Sequence, residues 1–305
     1  MRHLIRIVVA SVLLCLLIVD WAVAQDDPVV EIIRSKVEHL EATGELTVRG
    51  QAIASLTVLP DIYEARGFRL AWTDPQNVEG LLHAVTGIEE DGLDPGDYHL
   101  GAIRELFAEE RGGETQDPVL TADLDLLLTD SLVRLGYHLN FGKVDPESLD
   151  PQWNLAREID DRNPAVVIQS LLDSGSIAGR LEAFRNPHVI FERLKAALAK
   201  YRAIEAAGGW KPVPPGPDLK RRTRDARVPL LRERLSMTGD LASGASDSTR
   251  FDRKLEEAVS RFQERHRLPP DGVVGPGTLE AVNVTVETRI DQIRVNLERA
   301  RWVFH

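Results

Sequence analysis

The chain has 305 residues, a net charge of −11 and 43% hydrophobic residues, enough apolar material for a sizeable core divided between two domains. The negative charge argues against nucleic-acid binding, because neutralising a phosphate backbone needs a basic surface. The one cysteine, Cys15, lies in the first apolar run, so the later residues contain no disulfide, thiolate metal ligand or cysteine nucleophile.

The N-terminus has the pattern of a secretory signal peptide. Arg2 and Arg6 form a basic segment, residues 7–19 are apolar and uncharged, and Ala22-Val23-Ala24 fits a small-x-small cleavage site. The apolar run is shorter than the ~20 residues that span a bilayer. We therefore predict a cleaved signal peptide over residues 1–24, with an uncleaved anchor as the alternative.

The next region, residues 28–217, is predicted to be mainly helical. Apolar residues recur at helical spacing from Ile32, from Leu124 and from Phe191. The best strand candidate is the short run 67–72, and Asp-Pro and Asn-Pro pairs such as Asp145-Pro146 act as breakers between helices. The Gly/Pro-rich run 208–217 cannot continue a helix and is predicted to form a stiff connector.

After the connector, the spacing predicts three short helices. One apolar stripe runs along the second of them, and the first carries a shorter stripe with Pro229 in its first turn. Asp271-Gly272 is a strong turn signal, and Gly275-Pro276 opens the third helix. The residues of the longer stripe are Phe251, Leu255, Ala258, Val259, Phe262 and His266.

These two regions carry two resemblances. The stretch FDRKLEEAVSRFQERHRLPPDGVVGPGTLEAVNV resembles the small three-helix peptidoglycan-binding domain of bacterial wall hydrolases and transpeptidases. The stretches EEDGLDPGDYHL, LTDSLVRLGYHLNFGKVDPESLDPQWN and LKAALAKYRAIEAAGGWKPVPPGPDL resemble the scaffold domain of large murein L,D-transpeptidases of Gram-negative bacteria. The resemblance covers about residues 28–305, with the parts in the family's order.

The resemblance implies a mainly α fold, with a helical scaffold domain at 28–217 and a peptidoglycan-binding-like domain at 226–285. Residues 286–305 resemble the start of the linker to the family's catalytic domain, whose S-H-G-C-[V/I]-R motif has no counterpart here. Because the nucleophile of that reaction is a thiolate, no catalytic residue is assigned, and whether the chain acts as an enzyme is left open.

Other chemistry finds little support in the sequence. The histidines form no zinc pattern, and the acidic cluster at 89–97 lacks the ligand spacing of a calcium loop, so turn and cap roles are favoured there. We predict no metal site and no cofactor. Trp72, Trp153 and Trp210 could stack on sugar rings, although a core or interface role is more usual.

We therefore predict the non-catalytic scaffold and peptidoglycan-binding portion of a periplasmic L,D-transpeptidase involved in cell-wall cross-linking. A stand-alone peptidoglycan-binding or adaptor protein is the alternative. Peptidoglycan is the predicted partner, with no nucleic acid, no stable membrane span after signal cleavage and no protein partner identified. The side chains that bind peptidoglycan are predicted to flank the apolar stripe of the second helix. The reason is that saccharide hydroxyls and stem carboxylates need hydrogen-bond donors. These side chains are Arg261, Gln263, Arg265 and Arg267.

Overall fold

A computed structural model describes residues 27–112, 117–149, 163–242 and 248–304. Over these ranges the chain forms thirteen α-helices, two 3₁₀ turns and one small two-stranded sheet, so the predicted mainly α fold is confirmed. Nowhere in the described ranges is a helix long and apolar enough to cross a bilayer. The predicted signal peptide, residues 1–24, lies outside the described residues.

The described residues divide into two compact units. The first holds residues 27–88, 94–112, 117–143 and 163–185, and the second holds 89–93, 144–149, 186–242 and 248–304. In chain order the elements are α1 (Pro28–Thr43), β1 (Thr47–Val48), β2 (Gln51–Ala52), α2 (Val58–Ala65), α3 (Pro75–Gly87), α4 (Leu100–Gly112), α5 (Pro118–Phe141), α6 (Pro146–Leu149), α7 (Pro164–Leu172), α8 (Ile177–Glu182), α9 (Val189–Ala206), α10 (Val228–Met237), α11 (Arg253–Arg265), α12 (Pro276–Asn283) and α13 (Val286–Val303). The 3₁₀ turns are Ile88–Asp91 and Pro95–Tyr98.

Several helices of the first unit begin with an Asp-Pro or Asn-Pro pair. In α1, α3, α5 and α7 the Asp or Asn is the N-cap, its side chain accepts the amide two residues on, and Pro takes the first helical position. Pro is well suited there because that amide has no partner within the helix. Of these four pairs, Asn163-Pro164 was predicted to separate helices, and it does so as the start of α7.

Helix α5 lies at the centre of the first unit, packed by α1, α4 and the strand β1. It buries residues around most of its circumference, including the carboxylates of Asp123, Asp125 and Asp130. A buried carboxylate is tolerated only where it is paired or hydrogen-bonded. Each of the three has partners. Asp123 Oδ2 accepts a hydrogen bond from Arg49 Nε at 2.8 Å, and the other two carboxylates bind nearby loops.

The strand predicted over residues 67–72 is wrong. Gly67 and Phe68 adopt left-handed φ values of 61° and 59°, which a strand does not allow. The amides of Ala71 and Trp72 then donate to the carboxylate of Asp125, at 3.0 Å for the shortest contact of each. The side chain of Asp125 thus takes the hydrogen bonds that a neighbouring strand would have supplied. Burial has the largest effect on the pKa of Asp125 and raises it. The hydrogen bonds from these amides lower the pKa, but burial outweighs them.

Asp130 fixes a second loop in the same way. Its Oδ1 accepts the amides of Ala54 and Ser55 and the Ser55 hydroxyl, and its Oδ2 lies 2.7 Å from His99 Nε2. Burial raises the pKa of this carboxyl, but the hydrogen bonds from His99 and Ser55 outweigh it, and the pKa ends below its usual range. The network is buried and its groups pair with one another, as expected of a hydrogen-bond network with a structural role.

In the second unit α9 and α13 pack side by side. The segment 89–93 packs against α13: Arg301 Nη2 donates to Asp91 O at 2.6 Å and Arg294 Nε to Gly92 O at 3.1 Å. Gly92 has a φ of 78°, and a Cβ at this position would lie 2.9 Å from Leu297 Cδ1. Only glycine allows both the conformation and the close approach.

The remaining helices α10, α11 and α12 form a small bundle, and the connector before them packs onto it. Val213 and Leu219 are buried in the bundle core, the amide of Val213 donates to Asn283 Oδ1, and Leu219 forms a β-bridge with Val274. The bundle core therefore includes residues upstream of 226. The predicted limits 28–217, 226–285 and 286–305 remain predictions.

Candidate functional site

The bundle α10–α12 is built on the apolar stripe of α11. Phe251, Leu255, Ala258, Val259 and Phe262 are all at most 1% exposed, as the helical spacing predicts, while His266 at the end of the stripe is partly buried. Facing residues from α10, α12, the connector and the loops beside these helices complete the core: Val213, Leu219, Val228, Leu231, Leu235, Leu241, Val274 and Val282. Burial of this stripe sets which side chains of α11 remain at the surface.

The turn between α11 and α12 follows the sequence signals. Gly272 has a φ of 72°, and a Cβ there would lie 2.9 Å from Glu256 Cγ. Asp271 Oδ1 accepts the amide of Val273, which closes an Asx turn and lowers the pKa of its carboxyl. Gly275 is the N-cap of α12 and Pro276 its first residue. The turn is therefore tied closely to α11.

Gln263, one of the predicted ligand-binding residues, lies in the interior. It is 1% exposed, its Oε1 accepts the amide of Gly272, and its Nε2 lies within 3.0 Å of Asp271 Oδ1, Val273 O and Thr278 Oγ1. These bonds use both ends of the amide. The expectation that Gln263 lines a surface groove is therefore corrected: it holds the α11–α12 turn in place.

Arg261 and Arg265 both hold Asp240, in the loop after α10. Arg261 donates from Nε and Nη2 to the Asp240 carbonyl, at 3.0 and 2.8 Å. Arg265 donates to the Asp240 carboxylate, with Nη2 2.6 Å from Oδ2 and Nε 3.2 Å from Oδ1. The Arg265 side chain is 41% exposed, so it is accessible from solvent in spite of this pair.

Arg267, the fourth predicted residue, is exposed and lies just past the end of α11 with a φ of 56°. The amide of Leu268 donates to Gln263 O at 2.8 Å and that of Arg267 to Glu264 O at 3.1 Å. This is the pattern of a helix C-terminus closed by a left-handed residue, usually glycine. Of the four predicted residues, the structure thus leaves Arg261, Arg265 and Arg267 at the surface, while Gln263 is internal.

A cluster that the sequence did not predict lies beside these residues. We call it the arginine cluster: Arg234 of α10, Arg265 of α11, His266, Arg289 of α13, Tyr201 of α9, and Trp210. The guanidinium carbon of Arg234 lies 3.6 Å from the centre of the Trp210 ring and 5.8 Å from that of Phe262. The guanidinium carbon of Arg265 is 5.6 Å from the Phe262 ring centre, and the His266 ring 4.2 Å.

Burial and mutual repulsion control the protonation of this cluster. Arg234 is 1% exposed, and burial lowers its pKa to about 10. Burial, followed by the positive charges of Arg265, Arg289 and Arg234, lowers the pKa of His266 to about 4. At neutral pH the arginines are therefore charged and His266 is neutral. The sequence signal for Arg234 was its place three residues after Leu231, on the buried face of α10.

The comparisons with protein families agree with this geometry. Residues 57–198 match the family described as "Scaffold domain", and residues 224–282 match the one described as "Putative peptidoglycan binding domain". Together the two matches support a scaffold and peptidoglycan-binding chain of the L,D-transpeptidase family. The second matched region contains α10, α11 and all but the last residue of α12, so these helices support a peptidoglycan-binding role. A comparison with curated proteins found no match.

The surface beside α11 offers hydrogen-bond donors and the partly buried rings of Trp210 and His266. Such a set binds carboxylates and saccharides. Within the described ranges, no three His, Asp or Glu side chains are grouped so as to hold a metal ion. Trp210 is partly buried, and its Nε1 donates to Val284 O, while Trp72 Nε1 donates to Thr129 Oγ1. The third tryptophan considered for sugar stacking, Trp153, lies outside the described residues.

Proposed function

We propose that the scaffold and the bundle serve a periplasmic L,D-transpeptidase in cell-wall cross-linking, with the bundle holding the protein on peptidoglycan. The observation that carries this proposal is the order of the two matched families, scaffold at 57–198 and peptidoglycan-binding domain at 224–282. The bundle supplies a preformed surface for the polymer. Its core is buried, and Gln263 holds the α11–α12 turn by a hydrogen bond.

The periplasmic location is supported by the N-terminal sequence. A basic segment, an uncharged apolar run and a small-x-small site precede the scaffold. Export would bring the chain to the compartment that contains peptidoglycan. In cell fractions the protein is expected in the periplasm, with Gln25 as its first residue. A cytoplasmic protein that retains Met1 would contradict this location.

Peptidoglycan binding is tested by co-sedimentation of residues 25–305 with purified sacculi at about 0.15 M salt, where the screening length is ~8 Å. Because the chain is net negative, general attraction to an acidic polymer is weak, and pelleting would report specific contacts. We expect the protein in the pellet. Protein that remains in the supernatant at all sacculus concentrations would contradict the proposal.

Participation in cross-linking needs a separate measurement. Deletion of the gene in its own host is expected to reduce the fraction of 3→3 cross-links in digested peptidoglycan, and the full gene is expected to restore it. An unchanged cross-link pattern, with the protein still pelleting with sacculi, would favour a stand-alone peptidoglycan-binding protein.

A further inference from the structure

The guanidinium groups of the arginine cluster carry more positive charge than the carboxylate of Asp240 neutralises. Asp240 is the carboxylate whose charge acts on Arg234, Arg265 and His266, and it is already engaged by Arg265 and by the Thr238 hydroxyl at 2.7 Å. Arg289 adds a third guanidinium charge nearby, one that lowers the pKa of both Arg234 and His266. Burying like charges together is costly unless an anion joins them.

The cluster also contains polar atoms that are buried without a hydrogen-bond partner among the described residues. They are Arg234 Nη2, Arg289 Nε and His266 Nε2. Leaving a buried donor unpaired is unfavourable, and more so for a charged group. Arg234 satisfies its other nitrogens, with Nε donating to Val282 O and Nη1 to Thr238 Oγ1. Nη2 is therefore the one unpaired donor of a side chain that is otherwise held by hydrogen bonds.

We propose that the arginine cluster is the binding site for a carboxylate of the peptidoglycan stem peptide. A carboxylate has two oxygens and about four lone-pair positions, so it accepts several hydrogen bonds, and we assign the unpaired nitrogens of Arg289, Arg234 and neutral His266 as its donors. It also neutralises the surplus charge. The glycan strand is largely neutral and would leave that charge unbalanced, so the cluster selects the peptide part of the polymer.

Arg265 controls access to this site. Its side chain is 41% exposed and its guanidinium lies over Phe262, and it is the one exposed member of the cluster. Its contact with the Tyr201 hydroxyl is long, at 3.5 Å, so the main bonds that a change of rotamer exchanges are the two to the Asp240 carboxylate. The ligand carboxylate enters as Arg265 swings outward, and Arg265 then pairs with it from the solvent side. Trp210, stacked on Arg234, keeps the inner guanidinium fixed.

This inference rests on the proposed function and is tested with a soluble ligand. The probe is a purified disaccharide-tetrapeptide muropeptide, titrated calorimetrically into residues 25–305. Three changes are compared: Arg289→Gln in the protein, amidation of the stem carboxylates in the ligand, and both together. Arg253→Gln is the matched control, because Arg253 is on the same bundle with a side chain 76% exposed.

We expect Arg289→Gln to weaken binding at least about tenfold, amidation to weaken it similarly, and the two together to add little, because both remove one interaction. Arg253→Gln is expected to bind as the native protein does. Amidation is read on the native protein, so this arm remains decisive if Arg289→Gln does not fold.

Equal affinity for the amidated ligand, or no muropeptide binding by a protein that still pellets with sacculi, would overturn the site and leave the proposed function standing. Unchanged affinity in a folded Arg289→Gln variant would also overturn it. Protein that binds neither sacculi nor muropeptide would overturn both.

Discussion

The guanidinium of Arg234 stacks on the ring of Trp210, with 3.6 Å between the guanidinium carbon and the ring centre. Trp210 comes from the connector after α9 and Arg234 from α10, so the pair ties the connector to the bundle. A cation over an indole face is attracted by the ring quadrupole, and the attraction grows when water is excluded. Trp210 also donates from Nε1 to Val284 O at 3.1 Å, before α13.

Replacing Trp210 is therefore expected to destabilise the second unit. Trp210→Ala removes the ring, the cation contact and one hydrogen bond, and we expect a loss of about 3 kcal/mol in the free energy of unfolding. This is the lower end for Trp→Ala because the ring is only partly buried. Trp210→Phe keeps an aromatic face and should lose less than half as much. Urea unfolding measures both, and equal losses would contradict a role for the ring face.

Arg267→Gly is expected to stabilise the protein. Arg267 has a φ of 56°, where an L-residue is strained by about 1–2 kcal/mol and glycine is not. Part of this gain is lost because glycine makes the unfolded chain more flexible, so the expected net increase is about 0.5–1 kcal/mol. Arg267→Ala keeps the strain and is the control, with little change expected. Thermal and urea unfolding compare the three proteins.

The same variant tests whether Arg267 binds ligand. Arg267→Gly removes the cation without weakening the fold, so a change in sacculus binding reports a lost contact. If the glycine variant is less stable than the alanine variant, the left-handed strain is not the dominant effect at this position.

Gln263→Glu is expected to be strongly destabilising. The amide nitrogen of Gln263 lies 2.8 Å from Asp271 Oδ1 and 2.9 Å from Val273 O, so a carboxylate oxygen there would face two acceptors in a buried position. We expect a loss of at least about 3 kcal/mol at neutral pH, because the buried charge would have no cation to pair with and one of its oxygens would face two acceptors. Glu264→Gln, on the exposed neighbour, is the matched control and should change stability by less than 0.5 kcal/mol. A small loss for Gln263→Glu in urea unfolding would contradict the buried position.

The sequence predicted what depends on local chemistry. The periodicity of α11 predicted its buried face because four apolar residues, Leu255, Ala258, Val259 and Phe262, repeat on one side of the helix. The turn at Gly272 and the start of α12 at Pro276 were likewise predictable, since each depends on the conformational preference of one residue.

What the sequence missed depends on partners far along the chain. The loop at Ala71 and Trp72 was taken for a strand because its partner, the carboxylate of Asp125, lies 53 residues or more away. Gln263 was placed at the surface because helical spacing does not show that an amide can satisfy a turn from inside. The arginine cluster combines residues from α9, α10, α11 and α13, and no local pattern connects them.

His266 is expected to make stability fall as the pH falls from about 6.5 to about 4. Its folded pKa is lowered from 6.5 to about 4 by burial and by the charges of Arg265, Arg289 and Arg234, which outweigh Asp240. Between these values the unfolded chain binds a proton on this ring and the folded chain does not, so acid favours unfolding. Above about 6.5 the ring is neutral in both states and contributes no slope.

Carboxylates titrate in the lower part of the same range, so the decisive quantity is the difference between the native protein and His266→Gln, which cannot take up the proton. Urea unfolding at several pH values between 4 and 7.5 should show that the stability advantage of the native protein over His266→Gln shrinks steadily below about 6.5. Arg253→Gln, which removes an exposed charge that does not titrate in this range, should run parallel to the native protein. A constant difference between native and His266→Gln across the range would mean that the ring takes up its proton equally in both states. The arginines would then not repel that proton in the folded chain, and the charge surplus on which the carboxylate site depends would be absent.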